Sequence, residues 1–276
     1  MGWAPALVAA VIQGLTEFLP ISSSGHLALL ELMWRGVEPD LAYAVLLHVG
    51  TLGAVLAFYR RDVGTLLLGW RTRGWGPAVP EAGTPARFPE GIRAAWGAIL
   101  AATLPTAAIG LAFEERVEAA FASPRTLIAT FSITGALLAI SYFLAPRALQ
   151  DRITLGRAFL IGIAQGLAIF PGISRSGATI VAGMLLGLSG LTAMRFSFLI
   201  SIPAVAGAAL LKSRVLLTAA PETLVVYATG TLIAFAVGWL SLVLLRQMVR
   251  RLRLWWFAFY CLVPALIALL LAQGLA

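Results

Sequence analysis

The sequence predicts an all-α polytopic membrane protein: six transmembrane helices, two re-entrant helix pairs and an inverted-topology repeat. Three observations carry that expectation. Mean hydropathy is +0.93, with 60% hydrophobic and 12% charged residues, which lies outside the range of soluble globular domains. Several stretches are long and apolar enough to span a bilayer. Two further apolar regions are interrupted at their midpoints by proline and serine, and the two interruptions share sequence.

In chain order, the first interrupted region covers about residues 3 to 34 and is cut at Pro20. Three uninterrupted segments follow, at roughly 41 to 60, 93 to 113 and 125 to 145. The second interrupted region, 157 to 190, is cut at Pro171-Gly172, and segments 192 to 212, 222 to 246 and 255 to 274 complete the chain. A crossing needs about 20 apolar residues at roughly 1.5 Å rise each. The six uninterrupted segments meet that length, whereas each half of an interrupted region is too short. Both interrupted regions therefore read as re-entrant pairs that enter and leave on one side.

"QGLTEFLPISSSG" at 13 to 25 aligns without a gap on "QGLAIFPGISRSG" at 165 to 177, identical at eight of thirteen positions. Composition alone gives about one or two. The same offset of 152 sets "LHVGTLGAVLAFYR" from Leu47 against "LISIPAVAGAALLK" from Leu199. The chain reads as one integral membrane domain, 1 to 276, of two repeats, approximately 1 to 145 and 153 to 276. An odd number of spans between the re-entrant pairs gives the halves opposite orientations.

The net charge of +8 comes from 19 arginines and one lysine, gathered in short loops and not in a nucleic-acid-binding stripe. No nucleic-acid partner is expected. Loops 60 to 93, 146 to 157 and 246 to 253 hold 6, 3 and 4 arginines, which places them inside and both termini outside. The first re-entrant pair then dips in from outside and the second from inside, with their polar tips meeting near mid-bilayer. The one cysteine, Cys261, lies in an apolar run and reads as a small buried hydrophobe. The N-terminus lacks a basic start or cleavage pattern and reads as part of the fold. Trp34, Trp70, Trp75, Trp96, Trp255 and Trp256 fall at span ends or in loops and read as an interfacial belt.

This topology leaves Glu17 as the only core acid and Arg175 as the only core guanidinium, with Arg195 near enough to a span end to snorkel. Charges at that depth are costly and mark function or a structural tie. Gln13 and Glu17, four apart, share a helix face; Ser22 and Ser23 fall four and three residues before His26. Ser22, Ser23 and Ser24 open one second half-helix, while Ser174 and Ser176, with Thr179 beyond, open the other. Helix N-termini and an arginine fork together suit an anion, and the depth suits one attached to lipid. His48 reads first as a structural hydrogen-bonder on a packed helix.

"QGLTEFLPISSSGH" with "PGISRSGATI" resembles the signature pair of the bacterial undecaprenyl-diphosphatase family, the bacitracin-resistance type, and the likeness runs along essentially the whole chain. The family's first motif maps its acidic pair onto Gln13 and Glu17 and its Ser/His segment onto Ser23 and His26. The second maps onto Pro171, Gly172, Ser174, Arg175, Ser176 and Thr179. Position 13 is Gln where many members carry Glu. The resemblance implies hydrolysis of undecaprenyl diphosphate to the monophosphate and inorganic phosphate, recycling the carrier lipid for cell-wall synthesis, with a link to bacitracin resistance.

On that reading Glu17, Ser23, His26 and Arg175 are catalytic, while Gln13, Ser22, Ser24, Ser174, Ser176 and Thr179 bind substrate. A divalent cation, Mg²⁺ or Ca²⁺, helps neutralise the diphosphate, with Glu17 as a metal ligand or as the group that orients a base. Ser23, His26 and water all stay open as nucleophile. The partners implied are the polyprenyl diphosphate and the bilayer, with a homodimer left open, and the location is the bacterial inner membrane with the site facing outside. The rival reading is a secondary transporter or lipid flippase, since inverted repeats with broken helices also build carriers.

Overall fold

A computed structural model describes residues 2 to 34, 41 to 68, 92 to 144, 152 to 214 and 223 to 274. Every regular element among them is a helix. Five are long and apolar enough to cross a membrane: α3 (Leu41–Phe58), α5 (Ile92–Ala112), α7 (Pro124–Leu144), α10 (Gly190–Lys212) and α11 (Leu224–Arg250). The sixth expected span is the apolar helix α12 (Trp256–Ala272), of 17 residues, about 26 Å long. The protein is thus an all-helical polytopic membrane protein, whose outward faces carry residues such as Leu104, Leu111, Leu232 and Leu262.

The first interrupted region forms α1 (Trp3–Phe18) and α2 (Ser23–Met33); the second forms α8 (Leu155–Leu167) and α9 (Arg175–Leu185). Both breaks fall at a proline, which offers no N–H, followed by a serine that caps the next helix. Proline alone does not end a helix here, since Pro105, Pro203 and Pro264 lie inside helices. Two short helices, α4 (Arg60–Leu68) and α6 (Glu114–Phe121), lie in stretches expected as loops. Each has acidic residues in its first turn, Asp62 in α4 and Glu114 and Glu115 in α6, which favours the positive end of the helix dipole.

Packing follows a regular scheme. Helix α1 lies on α11 and α8 on α5; α7 lies on α12; α3 and α10 meet each other, with α3 against α11 and α10 against α5. Small residues permit the closest of these approaches. A Cβ at Gly162 of α8 would meet the Ala102 carbonyl oxygen of α5 at 2.2 Å, and one at Gly50 of α3 would meet the Thr231 carbonyl oxygen of α11 at 2.4 Å. Where lipid competes for apolar surface, such backbone contact drives association. The largest buried cluster, including Phe18, Leu138, Ile161, Phe196, Phe198 and Leu242, sits among these helices.

Arg195 departs from the sequence reading. Its guanidinium does not snorkel but pairs with Asp62, the two side chains being 13% and 9% exposed. The cause is α4: residues expected in a hydrophilic loop fold as a helix against α3 and α5, and carry Asp62 inward. Trp96 donates its indole N–H to the Leu66 carbonyl at 3.0 Å, tying α5 to α4. Trp255 and Trp256 join Tyr142 and Phe259 in an aromatic group, with Arg253 over Trp256 at 5.2 Å. Trp70, Trp75, Arg35 and most of the basic stretches 60 to 93 and 146 to 157 lie outside the described residues.

Candidate active site

The two helix breaks meet. Gly172 donates its backbone N–H to Ser22 Oγ at 3.0 Å, and the Thr134 hydroxyl of α7 donates to the Gly172 carbonyl at 2.7 Å while accepting from Ser174 N–H at 3.1 Å. Gly172 has φ +94°, and a Cβ there would lie 2.0 Å from Thr130 Oγ1, so conformation and space both require glycine. Ser22 also has positive φ, +69°, a strained setting for a residue with a side chain. It is held by its bond from Gly172 and by accepting from Gly25 N–H at 3.3 Å as the cap of α2.

Ser174 plays the same part for α9, accepting from Gly177 N–H at 3.1 Å. Serine is the right residue at both places because its oxygen satisfies one of the donors a helix start leaves open. The starts of α2 and α9 are thus joined through Ser22 and Gly172. Ser22 and Ser24 meet at 3.3 Å, and Ser174 and Ser176 at 3.2 Å.

Glu17 stands at the centre, with its side chain 6% exposed. Its Oε1 accepts from Arg175 Nη2, while Oε2 accepts from Ser23 Oγ at 2.5 Å and from Gln13 Nε2 at 3.0 Å. Because Arg175 uses one nitrogen here, the rest of its donor fork stays available for phosphate oxygens. Gln13, Glu17, Ser23 and Arg175 thus converge as the sequence expects. His48 joins them: its Nδ1 lies 2.9 Å from the Ala44 carbonyl, the structural bond expected of it, yet Nε2 lies 3.9 Å from Glu17 Oε2.

Two expected site residues turn elsewhere. Thr179 is fully buried against α10, where its hydroxyl meets Ser197 Oγ at 2.5 Å and donates to the Arg175 carbonyl at 2.8 Å. His26 is half-buried; its hydrogen bonds run to the Ser22 carbonyl and to Tyr260 on α12, not to Glu17, Ser23 or Arg175. Thr134 and Tyr260 are the contributors that sequence reading missed. Thr134 is one of several hydroxyl residues along α7 and Tyr260 one of several aromatics at the start of α12, so neither stands out in the sequence.

The broken helices of this polytopic membrane protein join a carboxylate, a guanidinium and two serine-capped helix starts, an arrangement suited to an anionic group. Comparison with known proteins narrows the reading. Residues 6 to 267 match the family model described as bacitracin resistance protein BacA, and the chain belongs to this family. A protein named undecaprenyl-diphosphatase from Desulfosudis oleivorans is 41% identical over 270 residues, covering 93% of this chain and 94% of that one. One of the same name from Methanosphaera stadtmanae is 37% identical over 274 residues, with 97% of each chain covered. Another, from Geobacter metallireducens, is 40% identical over 262 residues, with 94% of each covered.

Proposed function

We propose that the protein hydrolyses undecaprenyl diphosphate to undecaprenyl phosphate and inorganic phosphate. The observation that carries the reading is Glu17, held on one side by Arg175 and on the other by the Ser23 hydroxyl, at the junction of two helix N-termini. Family membership and similarity to proteins of that name support the substrate. A carrier needs no hydroxyl hydrogen-bonded to a carboxylate beside an arginine, so the transporter reading is disfavoured.

The 2.5 Å hydrogen bond supports Ser23 as the nucleophile. Glu17 Oε2 takes the Ser23 proton as Oγ bonds to the terminal phosphorus, and the bond from that phosphorus to the bridging oxygen breaks. The bridging oxygen leaves with undecaprenyl phosphate. Water then attacks the phosphoserine, giving inorganic phosphate and returning the proton to Ser23. Arg175 and the free N–H groups of α2 and α9 stabilise the phosphoryl oxygens, which is where most of the catalysis of phosphoryl transfer resides. Gln13 fixes the Glu17 carboxylate, and Ser22, Ser24, Ser174 and Ser176 shape the anion site. Thr179 supports α9 from behind, and His26, hydrogen-bonded to the Ser22 carbonyl and to Tyr260, lies at the margin without a proton-transfer step in this scheme.

A divalent cation, Mg²⁺ or Ca²⁺, supplies charge neutralisation in this reading. No group of three His, Cys, Asp or Glu side chains converges among the described residues, and both Glu17 oxygens already accept hydrogen bonds. Glu17 offers at most one ligand. Gln13 Oε1 is buried without a partner, but so is Oε1 of Gln165, its counterpart at offset 152, in the repeat that has Ile169 where the first has Glu17. That oxygen is thus a feature of both repeats and not the mark of a metal cage. The cation is best taken as arriving on the diphosphate itself, and no step is routed through it.

The topology proposed is six spans, two re-entrant pairs and inverted repeats of about 1 to 145 and 153 to 276, in the bacterial inner membrane with the site open to the external side. Exchange of the repeats turns the α1 to α11 packing into that of α8 to α5, and maps α7 on α12 onto itself. The serine caps exchange as well. Release of inorganic phosphate from the C55 lipid diphosphate by purified protein in detergent tests the function, and its absence, with the fold intact, would return the carrier reading. Loss of release in Ser23→Ala, with phosphoserine trapped at position 23 in the parent, tests the nucleophile.

A further inference from the structure

Once the phosphoserine forms, Glu17 holds the Ser23 proton, and that proton is spent on the Ser23 oxygen when it leaves. The attacking water needs a second acceptor to orient it. His48 of α3 offers one. Its Nδ1 lies 2.9 Å from the Ala44 carbonyl oxygen, one helical turn earlier. A carbonyl only accepts, so Nδ1 donates, and in the neutral imidazole the other nitrogen, Nε2, is then an acceptor. Among the described residues no hydrogen bond engages Nε2, which lies 3.9 Å from Glu17 Oε2, too far for a direct bond. A water beside the two can donate to both. His26 differs, because the Ser22 carbonyl and the Tyr260 hydroxyl occupy both its nitrogens.

Glu17 sorts its neighbours by oxygen. Oε1 takes Arg175, which grips phosphoryl oxygens, whereas Ser23 Oγ at 2.5 Å and His48 Nε2 at 3.9 Å both flank Oε2. The unused nitrogen therefore lies beside the hydroxyl that becomes phosphorylated. The His48 side chain is 35% exposed against 6% for Glu17, so the imidazole is the open edge of the pair. We propose that His48 is a positioning residue for the second half of the reaction, in which Nε2 accepts a hydrogen bond from the water that attacks the phosphoserine. The water oxygen bonds to phosphorus as the bond from phosphorus to Ser23 Oγ breaks, and Glu17 returns its proton to Oγ. One water proton stays on the attacking oxygen and the other moves to a phosphoryl oxygen, giving dihydrogen phosphate. His48 gains and loses no proton. This rests on the reading above, in which Ser23 is the nucleophile.

The test mixes full-length protein in detergent with C55 diphosphate labelled in its terminal phosphate, and follows undecaprenyl phosphate, free phosphate and label on the protein together. In the parent the two products should appear in step. In His48→Leu, phosphate release should fall about tenfold or more, the loss of one orienting hydrogen bond. Undecaprenyl phosphate should still appear in a burst of about one equivalent per protein, with label held on the chain, because only the second step is slowed. The burst also counts folded sites, and His48→Ala gives the same reading where leucine fails to fold. Adding Ser23→Ala should abolish the label. His48→Gln, whose amide oxygen can accept from the same water, should recover most of the rate. Equal loss of both products in the leucine and alanine variants would show a structural role for His48, and unchanged phosphate release would show that the water needs no such acceptor. Either overturns the proposal while hydrolysis stands. A parent that forms neither product overturns the hydrolase reading together with the role of His48.

Discussion

Gly172 and Ser22, 150 residues apart in sequence, are hydrogen-bonded across the junction of the two broken helices. Gly25 lies in the same contact: a Cβ there would sit 2.7 Å from the Gly172 backbone nitrogen and 2.6 Å from Phe131 Cζ. Backbone cannot move aside as a flexible side chain can. Gly25→Ala should destabilise the protein by about 1 to 3 kcal/mol, as overpacking does, and lower phosphate release. Gly64→Ala on α4, with nothing within 4 Å of its new Cβ, should leave both unchanged or raise stability slightly. Thermal unfolding in detergent reads the difference, and equal midpoints for the two variants would show that the junction tolerates separation.

Among the described residues, Arg175 is the one guanidinium paired with Glu17, whose carboxylate is nearly buried. Arg175→Ala should reduce phosphate release by about a hundredfold or more, the usual loss for a donor that stabilises developing charge. Arg175→Lys should recover little of it, because an ammonium cannot hold Glu17 and a phosphate with one planar fork. Initial rates at saturating lipid, compared for equal amounts of folded protein, decide this. Full activity in the lysine variant would remove the fork from the mechanism.

What the sequence makes legible follows from periodicity and punctuation. Prolines and serines announce both helix breaks, and the eightfold identity between 13 to 25 and 165 to 177 announces that the breaks are related. The spacing of Gln13 and Glu17 places them on one face, and their 3.0 Å hydrogen bond bears that out. Long-range partners leave no such trace. Asp62 reads as a loop acid until α4 packs it on Arg195, and Tyr260 reads as one more aromatic in an apolar helix until it meets His26. Chemistry also differs between the repeats in a way that the shared motif hides. Offset by 152, Glu17 corresponds to Ile169, His26 to Ala178 and His48 to Ile200. The second repeat keeps the caps and supplies Arg175, while the first holds the carboxylate and both imidazoles.

The cation prediction turns on the shortage of protein ligands. Activity should be lost in excess EDTA and restored by either Mg²⁺ or Ca²⁺, because a diphosphate accepts both and no rigid octahedral cage selects between them. Calorimetry should then find at most weak binding of either ion to the protein alone. Undiminished turnover in chelator would take the cation out of the reaction, and tight, selective binding to the substrate-free protein would show a dedicated site.

Side of action follows from the arginines. Residues 60 to 93 hold six of them and should face the cytoplasm, whereas α6, with Glu114, Glu115 and Glu118, should lie outside together with its ion-pair partner Lys212. A cysteine replacing Ala119, which is exposed on α6, should react with an impermeant thiol reagent in intact cells. One replacing Gly83 should resist until the cells are opened. Background is low, because Cys261, the chain's single cysteine, is buried. Since α1 and α2 precede α3 on the external side in this topology, Glu17, Ser23 and Arg175 would be reached from outside, and phosphate would be released there. Labelling at position 83 and protection at position 119 in intact cells would invert the chain in the membrane, and the side of hydrolysis with it.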